Sequence, residues 1–303
     1  MKKLFLLGLI LILIGLVIEK QDSLISIFNT YINPKQAVNI GQKNEYYRDY
    51  NFLYVKNTDN FSPNSKEDIM NIFYTAINAG KNSFTFYCPK EYKMCLNDVK
   101  DLANNQDQLS DINNFVHPFN GFSHIETEYD TLGRVTINIM KSYNKNDILM
   151  INNQVDSLFG KLVNPSLPLE DNIKAIHDYI INNTKYDSLR AENNTKNYKS
   201  DIAYGPIFQG YALCGGYTDL MQLFLEKLDV KSFKVSSNSH VWNAVYINDK
   251  WYHLDLTWDD PVSDDGRDYL DDSYFLIDTK KLLELDVTQH VFDQNVYQEL
   301  KEA

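Results

Sequence analysis

Apolar residues recur along the chain with two different periods, and these periods predict both strands and helices. A period of two residues predicts strands at 52–56, 83–87, 122–129 and 134–141. A period of three to four residues predicts amphipathic helices at 65–79, 96–115, 147–163 and 169–182. Strands and helices are mixed without strict alternation, so we predict an α+β fold.

The most apolar stretch lies at the N-terminus. Lys2 and Lys3 precede an apolar run from Leu4 to Ile18, which is the layout of a secretory signal. The run is slightly shorter than the roughly 17–25 residues of a typical spanning helix, yet no small-residue cleavage site follows it. We therefore expect an exported protein in which residues 1–20 are a cleaved signal peptide or an uncleaved membrane anchor, and the second alternative is favoured.

Changes in patterning divide the rest of the chain. Residues 21–45 are polar and rich in Asn, which is typical of a spacer. We predict a small α+β N-terminal module at 46–143. Two prolines, Pro165 and Pro168, mark a break between helices in the predicted C-terminal domain, which spans 144–303.

Composition and charge exclude some classes of function. The 303 residues include 29 Lys plus Arg and 41 Asp plus Glu, for a net charge of −12. A nucleic-acid-binding protein carries basic stripes, which are absent from this sequence. With 44% hydrophobic residues the chain can bury a substantial core, so global disorder is excluded as well.

Three cysteines are an odd number for an exported protein, in which cysteines are usually paired. Cys88 and Cys95 lie seven residues apart and are candidates for a local disulfide. Cys214 would then be unpaired. The alternative is that all three are buried, unreactive thiols.

Cys214 lies at the predicted start of a helix. Gly215 and Gly216 follow it, and Met221, Phe224, Leu225 and Leu228 then repeat at helical spacing. The unpaired N–H groups and the dipole at a helix N-terminus favour a thiolate, which is the nucleophilic form of cysteine. The same N–H groups are suited to stabilise an oxyanion.

A predicted hairpin follows this helix. A strand at 231–236 precedes strands at 240–247 and 250–257, which flank Asn248-Asp249. If these two residues form the loop, His240 and Asp255 lie on one face of the hairpin as diagonal neighbours within hydrogen-bonding reach. A three-residue loop would place them on opposite faces.

Cysteine, histidine and aspartate together suit nucleophilic acyl transfer. The thiolate attacks a carbonyl carbon, the imidazole holds and returns the proton, and the carboxylate orients the imidazole. His253 lies on the same face as Asp255, where it could serve as a substitute base or a supporting residue. His117 and His124 lack metal-ligand spacing, and the acidic stretch 259–272 lacks the EF-hand pattern, so we expect no metal and no cofactor.

Over roughly residues 169–292 the sequence resembles bacterial exported members of the transglutaminase-like superfamily of papain-type cysteine enzymes. The resemblance rests on three blocks: Cys214-Gly215-Gly216-Tyr217, His240-Val241-Trp242-Asn243, and the run WYHLDLTWDDP from Trp251 to Pro261. It implies a helix that begins at the cysteine and packs on an antiparallel sheet. It also implies that Cys214 is the nucleophile, His240 the base and acid, and Asp255 the orienting residue. By the same resemblance, Gln209 is a candidate oxyanion donor. Tyr217, Trp242 and Trp258 are aromatic candidates for the substrate cleft.

The expected function is therefore exported, thiol-dependent acyl transfer at peptide or glutamine amide bonds. Hydrolysis is favoured over crosslinking, because nothing in the sequence specifies a site for an amine acceptor. The expected partner is a protein or peptide substrate, with the cell wall as one source, and the only expected membrane contact is through the N-terminal segment. The alternative is a non-catalytic module that binds the cell surface or cell wall through its aromatic cleft.

Overall fold

The computed structural model describes residues 38–130, 133–261, 271–286 and 288–301. The predicted leader and residues 21–37 of the predicted spacer lie outside these ranges. Within them, no helix is both long enough and apolar enough to cross a membrane.

The described residues of the first half of the chain combine three α-helices with a three-stranded antiparallel sheet. The helices are α1 (Lys66–Asn78), α2 (Cys95–Asn104) and α3 (Gln106–Asn114). The strands are β1 (Ser83–Tyr87), β2 (Phe122–Tyr129) and β3 (Arg134–Lys141), in the order β1-β3-β2. Ser65 caps α1, since its hydroxyl accepts a hydrogen bond from the Asp68 N–H at 3.1 Å.

Two predicted elements of this half are wrong. Residues 52–56 form a turn rather than a strand, closed by a hydrogen bond from the Phe52 N–H to the Val55 carbonyl at 3.0 Å. The predicted helix at 96–115 is two helices, because Asn105 leaves the helical conformation and its side chain caps α3 through the Gln108 N–H.

The second half contains the longer helices and a second antiparallel sheet. The helices are α4 (Lys145–Leu162), α5 (Leu169–Asn183), α6 (Ser188–Asn193), α7 (Cys214–Lys227) and α8 (Thr279–Leu285). Two short parallel strands are β4 (Lys185–Tyr186) and β5 (Tyr211–Ala212). The antiparallel sheet contains β6 (Ser232–Ser236), β7 (Val241–Ile247) and β8 (Lys250–Leu254), in that order. The resulting fold is α+β, and α7 packs on β6 and β7.

The hairpin has the register that the sequence predicts. Ile247 pairs with Lys250, so the loop is Asn248-Asp249, and both residues have positive φ angles of 51° and 63°. Such angles are typical of the two-residue hairpin turn whose twist matches that of the strands. β8 ends at Leu254, three residues earlier than predicted, because the chain turns after Asp255 and the Asp259 N–H bonds to the Asp255 carbonyl.

The two halves share a hydrophobic core. Phe52 and Phe115 from the first half pack against Phe233 of β6, with ring centroids 5.4 and 5.1 Å apart. Tyr297, near the C-terminus, stacks on Phe115 at 5.8 Å. One face of the β6-β7-β8 sheet therefore packs on the first half and on the returning C-terminal segment, while the other face packs on helices of the second half.

A buried ion pair also joins the halves. Arg48 is buried, and its guanidinium donates to the Glu226 carboxylate in α7 and to the Phe115 carbonyl at 2.9 Å. Near the β1 end of the first sheet, Cys88 and Cys95 form a disulfide with a Cα–Cα distance of 5.7 Å, whereas Cys214 is a free thiol.

Gly216, in the first turn of α7, has no room for a side chain. A Cβ on Gly216 would lie 2.3 Å from the Ser200 carbonyl oxygen, so we expect Gly216→Ala to destabilise the protein by about 1–3 kcal/mol. Gly160 in α4 is the matched control, because a Cβ there meets nothing within 4 Å. Gly160→Ala should stabilise the protein by about 0.5–1 kcal/mol. Urea unfolding measures the stability of both variants against the wild type. Equal unfolding midpoints for Gly216→Ala and Gly160→Ala would contradict the close contact of Gly216 with the Ser200 carbonyl.

Candidate active site

Cys214 is the first residue of α7, and it is partly exposed. The preceding segment is held against the helix start by a hydrogen bond from the Leu213 N–H to the Ser200 carbonyl at 2.7 Å. Gly215 and Gly216 allow the carbonyls of Asp201 and Ser200 to approach closely. The sulfur therefore lies at a helix N-terminus whose position is fixed by packing.

His240 immediately precedes β7, and Asp255 immediately follows β8. The His240 Nε2 lies 2.5 Å from the Asp255 Oδ2, and both side chains are buried. The His240 ring stacks on Trp242, with centroids 5.6 Å apart. Since Nε2 faces Asp255, Nδ1 is the ring nitrogen left to interact with the Cys214 thiol, which contributes to the pKa of His240.

The environment of His240 favours its charged form. Burial alone would lower the pKa of His240, but the charge and hydrogen bond of Asp255, together with the nearby Cys214 thiol, outweigh burial and raise the pKa to about 10. At neutral pH the imidazole is thus a cation next to the thiol, which is the arrangement that favours a thiolate.

Asp255 is 1% exposed and accepts four hydrogen bonds. Its Oδ2 faces His240 and also His290, whose Nε2 is 2.9 Å away. Its Oδ1 accepts from the backbone N–H groups of Thr257 at 3.0 Å and Trp258 at 3.3 Å. Burial would raise the pKa of Asp255, but the two histidines outweigh burial and hold the pKa well below its usual range.

Residues 156–256, which include Cys214, His240 and Asp255, match the family model described as the transglutaminase-like superfamily. This segment is a transglutaminase-like domain. Among curated proteins, no sequence matches the chain significantly.

Two solved structures align with part of the chain. A structure described as a TGase is 16% identical, with a TM-score of 0.34, and the match covers 45% of this chain and 44% of that one. A Cytophaga hutchinsonii protein assigned provisionally as a cysteine protease is 15% identical, with a TM-score of 0.28, and the match covers 44% of this chain and 61% of that one. In both cases less than two thirds of the other chain is covered.

His290 is a member of this site that the sequence analysis missed. It lies outside the matched segment of the transglutaminase-like domain, is fully buried, and faces Asp255 on one side and Asp286 on the other. The four-residue spacing of Asp286 and His290 was the one available signal, and it is too common to identify a site. The contact with Asp255 spans 35 positions in sequence and depends on the returning C-terminal segment.

Two of the three residues predicted to line the substrate cleft are instead buried. Trp242 has no exposed surface, and its indole N–H donates to the His253 Nδ1 at 2.9 Å. Tyr217 is 1% exposed, and its hydroxyl donates to the Asp260 carboxylate. Both predictions are wrong because these side chains support the site from within the core. Trp258 remains partly exposed, and its ring lies 5.2 Å from that of His290.

His253 is a supporting residue rather than a substitute base. Its Nδ1 accepts from Trp242, and its Nε2 lies 2.9 Å from the Thr279 hydroxyl oxygen, which itself donates to the Leu300 carbonyl. This pattern fixes a neutral ring with the proton on Nε2. Burial and the nearby charge of His290 lower the pKa of His253 to about 3.

Gln209 lies at the end of a single π-helical turn, Gly205–Gln209, that precedes β5. Its side-chain oxygen accepts a hydrogen bond from the Lys199 N–H at 2.8 Å, which ties this turn to the preceding loop. The predicted role of Gln209 as an oxyanion donor stays a prediction. Burial, and then the charge of Cys214, raise the pKa of the Tyr186 hydroxyl.

The acidic segment after β8 is partly buried. Asp259 has no exposed surface, and its carboxylate accepts from the Tyr274 N–H at 2.9 Å and lies 3.1 Å from the His177 Nε2. Residues 262–270 of this segment lie outside the described ranges. The carboxylates of Asp255, Asp259 and Asp260 thus anchor the chain as it leaves the hairpin.

A metal ion could in principle be held by His240, Asp255 and His290, whose ligand atoms lie within 4.8 Å of one another. A tetrahedral zinc ion, however, keeps its ligand atoms about 3.3 Å apart, which follows from its bond lengths. The Asp255 Oδ2 is only 2.5 and 2.9 Å from the two imidazole nitrogens. These are hydrogen-bond distances, so protons rather than a metal ion fit between the three groups.

The raised pKa of His240 gives a prediction for the titration of the site. In the wild type, His240 should stay an imidazolium up to about pH 10, whereas in Asp255→Asn its pKa should move down towards the ordinary value of about 6.5. Carbon-detected NMR of labelled histidine rings measures the pKa of His240 in both proteins. His253 is the internal control, because its neutral ring should not titrate above about pH 5. An unchanged His240 titration in Asp255→Asn would contradict the pairing.

Proposed function

We propose that the protein is an exported, thiol-dependent acyl-transfer enzyme in which Cys214, His240 and Asp255 act as a catalytic triad. The observation that carries this proposal is the 2.5 Å contact of His240 with Asp255, next to a free thiol at a helix N-terminus. The transglutaminase-like domain is consistent with a papain-like enzyme in general.

The proposed reaction proceeds in two steps. The Cys214 thiolate attacks the carbonyl carbon of an amide, and the tetrahedral intermediate collapses to a thioester as the amine leaves with a proton from His240. Neutral His240 then removes a proton from water, the resulting oxygen nucleophile attacks the thioester carbon, and the carboxylic acid and the Cys214 sulfur are released. If an amine takes the place of water, the product is a new amide.

Backbone groups at the start of α7 are suited to stabilise the oxyanion. The N–H groups of Cys214 and Gly215 precede the first backbone hydrogen bond of the helix start, which runs from the Gly216 N–H to the Leu213 carbonyl. N–H groups at this position in a helix are directed beyond its end, where the developing negative charge would lie.

Hydrolysis is proposed over crosslinking because nothing in the sequence specifies a site for an amine acceptor. The proposed substrate is a protein or peptide, with the cell wall as one source, and the proposed location is outside the cytoplasm, by secretion or by an N-terminal anchor. The disulfide between Cys88 and Cys95 supports this location, since disulfides persist in oxidising compartments.

Turnover tests the proposed reaction. Purified protein would be incubated with a peptide library in water enriched in heavy oxygen, with and without a dansylated alkylamine, and the products read by mass spectrometry. We expect cleavage with heavy oxygen in the new carboxylate, and a loss of at least about 1000-fold in Cys214→Ala and in His240→Ala. Incorporation of the amine instead would identify a transglutaminase.

The control for His240→Ala is His124→Ala. His124 lies in β2 of the first half of the chain, and its side chain is 55% exposed. The variant should therefore react at the wild-type rate. If no library peptide is converted and Cys214 is alkylated no faster than a free cysteine peptide, the enzyme proposal fails. The non-catalytic binding module would then account better for the protein.

A further inference from the structure

His290 lies between two carboxylates. Its Nε2 is 2.9 Å from the Asp255 Oδ2, and its Nδ1 is 2.9 Å from the Asp286 Oδ2. An ionised carboxylate only accepts hydrogen bonds, and each of these contacts has hydrogen-bond length. Both ring nitrogens must therefore carry protons if both acids are ionised, which makes the ring an imidazolium.

The two acids have the environment that keeps them ionised. The Asp286 side chain accepts from the Thr288 hydroxyl at 2.6 Å and from the Thr288 and Gln289 N–H groups at 2.9 Å. These bonds and His290 hold the pKa of Asp286 well below its usual range, although burial opposes them. Asp255 keeps its charge through its two histidines and two backbone donors.

Aromatic rings surround His290 on its remaining sides. Their centroids lie close to the imidazole: Trp242 at 4.9 Å, Tyr274 at 5.1 Å and Trp258 at 5.2 Å. A fully buried cation is costly unless it is paired, and here two anions and the stacked face of Tyr274 compensate for lost water.

We propose that His290 is a buried imidazolium that positions Asp255, so that one carboxylate oxygen is held between His290 and His240. His290 is a positioning residue, because it acts on His240 only through Asp255. The effect of His290 on catalysis rests on the proposed function, whereas the charge of its ring can be measured without a substrate.

The proposal implies a row of alternating charges. From Asp286 it runs through His290, Asp255 and His240 to Cys214, and negative and positive groups alternate along it when the sulfur is a thiolate. The other titratable groups that face His290 are His253, which is neutral, and Tyr274, whose pKa burial and nearby acids raise to about 12. Neither changes charge near neutral pH. The state of His290 therefore depends on its two acids, which favour the charged ring, and on the His240 imidazolium, whose centroid lies 5.3 Å away and whose like charge opposes it.

Ring-nitrogen NMR of the full chain tests the charge directly and needs no substrate. At neutral pH, both nitrogens of His290 should show the protonated signature, because each faces a carboxylate oxygen that can only accept a hydrogen bond. In Asp286→Asn the amide oxygen can still accept a hydrogen bond but carries no charge, so a smaller fraction of the rings should be doubly protonated at the same pH. A neutral His290 ring in the wild type at about pH 7 overturns the proposal even if the enzyme is active.

The rate of Cys214 alkylation by iodoacetamide tests the positioning role. His290→Phe removes both hydrogen bonds at similar ring size, and His290→Gln keeps one amide donor for Asp255. At about pH 6 we expect alkylation to slow by at least about tenfold in His290→Phe and less in His290→Gln, since loss of a hydrogen bond to a charged group has this magnitude. At about pH 10, where free thiols ionise without help, all rates should lie within about twofold.

A separate folding measurement distinguishes positioning from general damage. A destabilised protein exposes an ordinary thiol, which also alkylates slowly at about pH 6, so the rates count only for variants whose circular dichroism spectrum and urea-unfolding midpoint match those of the wild type. Equal rates in wild type and His290→Phe at about pH 6 overturn the positioning role. If the wild-type thiol is no more reactive than a free cysteine peptide, the proposed function fails, while the NMR result for the charge of His290 stands separately.

Discussion

The arrangement of the site depends on the burial of one carboxylate. Asp255 has almost no exposed surface, and every side of its carboxylate is occupied by a histidine or a backbone N–H. A buried anion is tolerated only when it is paired, so the surrounding groups must be in place whenever the protein is folded. The orientation of His240, and through it the environment of Cys214, follows from this requirement.

Both halves of the chain contribute to that arrangement. The β7-β8 hairpin brings His240 and Asp255 together, α7 presents the thiol, and the C-terminal segment adds His290. The first half packs on the opposite face of the same sheet, and Arg48 joins it to the end of α7 through Glu226. The transglutaminase-like domain is therefore completed by residues on either side of the matched segment.

The features that could be predicted from the sequence depend on residues that are close together along the chain. The Asn248-Asp249 turn defines the hairpin register, which places His240 and Asp255 together, and the apolar period after Cys214 defines the start of α7. Alternation shows which side chains share a face but not whether another part of the chain covers it, so Trp242 was wrongly assigned to the cleft. Likewise, residues 52–56 have a strand pattern but form a turn, and His290 reaches the site only through tertiary packing.

The proposed function depends on a thiolate–imidazolium pair of Cys214 and His240 that Asp255 holds in place. The most direct measurement is the ultraviolet absorbance of the thiolate, taken as the difference between wild type and Cys214→Ser across pH. The account predicts that the thiolate band is already present at about pH 6 and is absent at that pH in His240→Ala, since a free thiol ionises near pH 8.5. A band that appears only above about pH 8 in both proteins would contradict it.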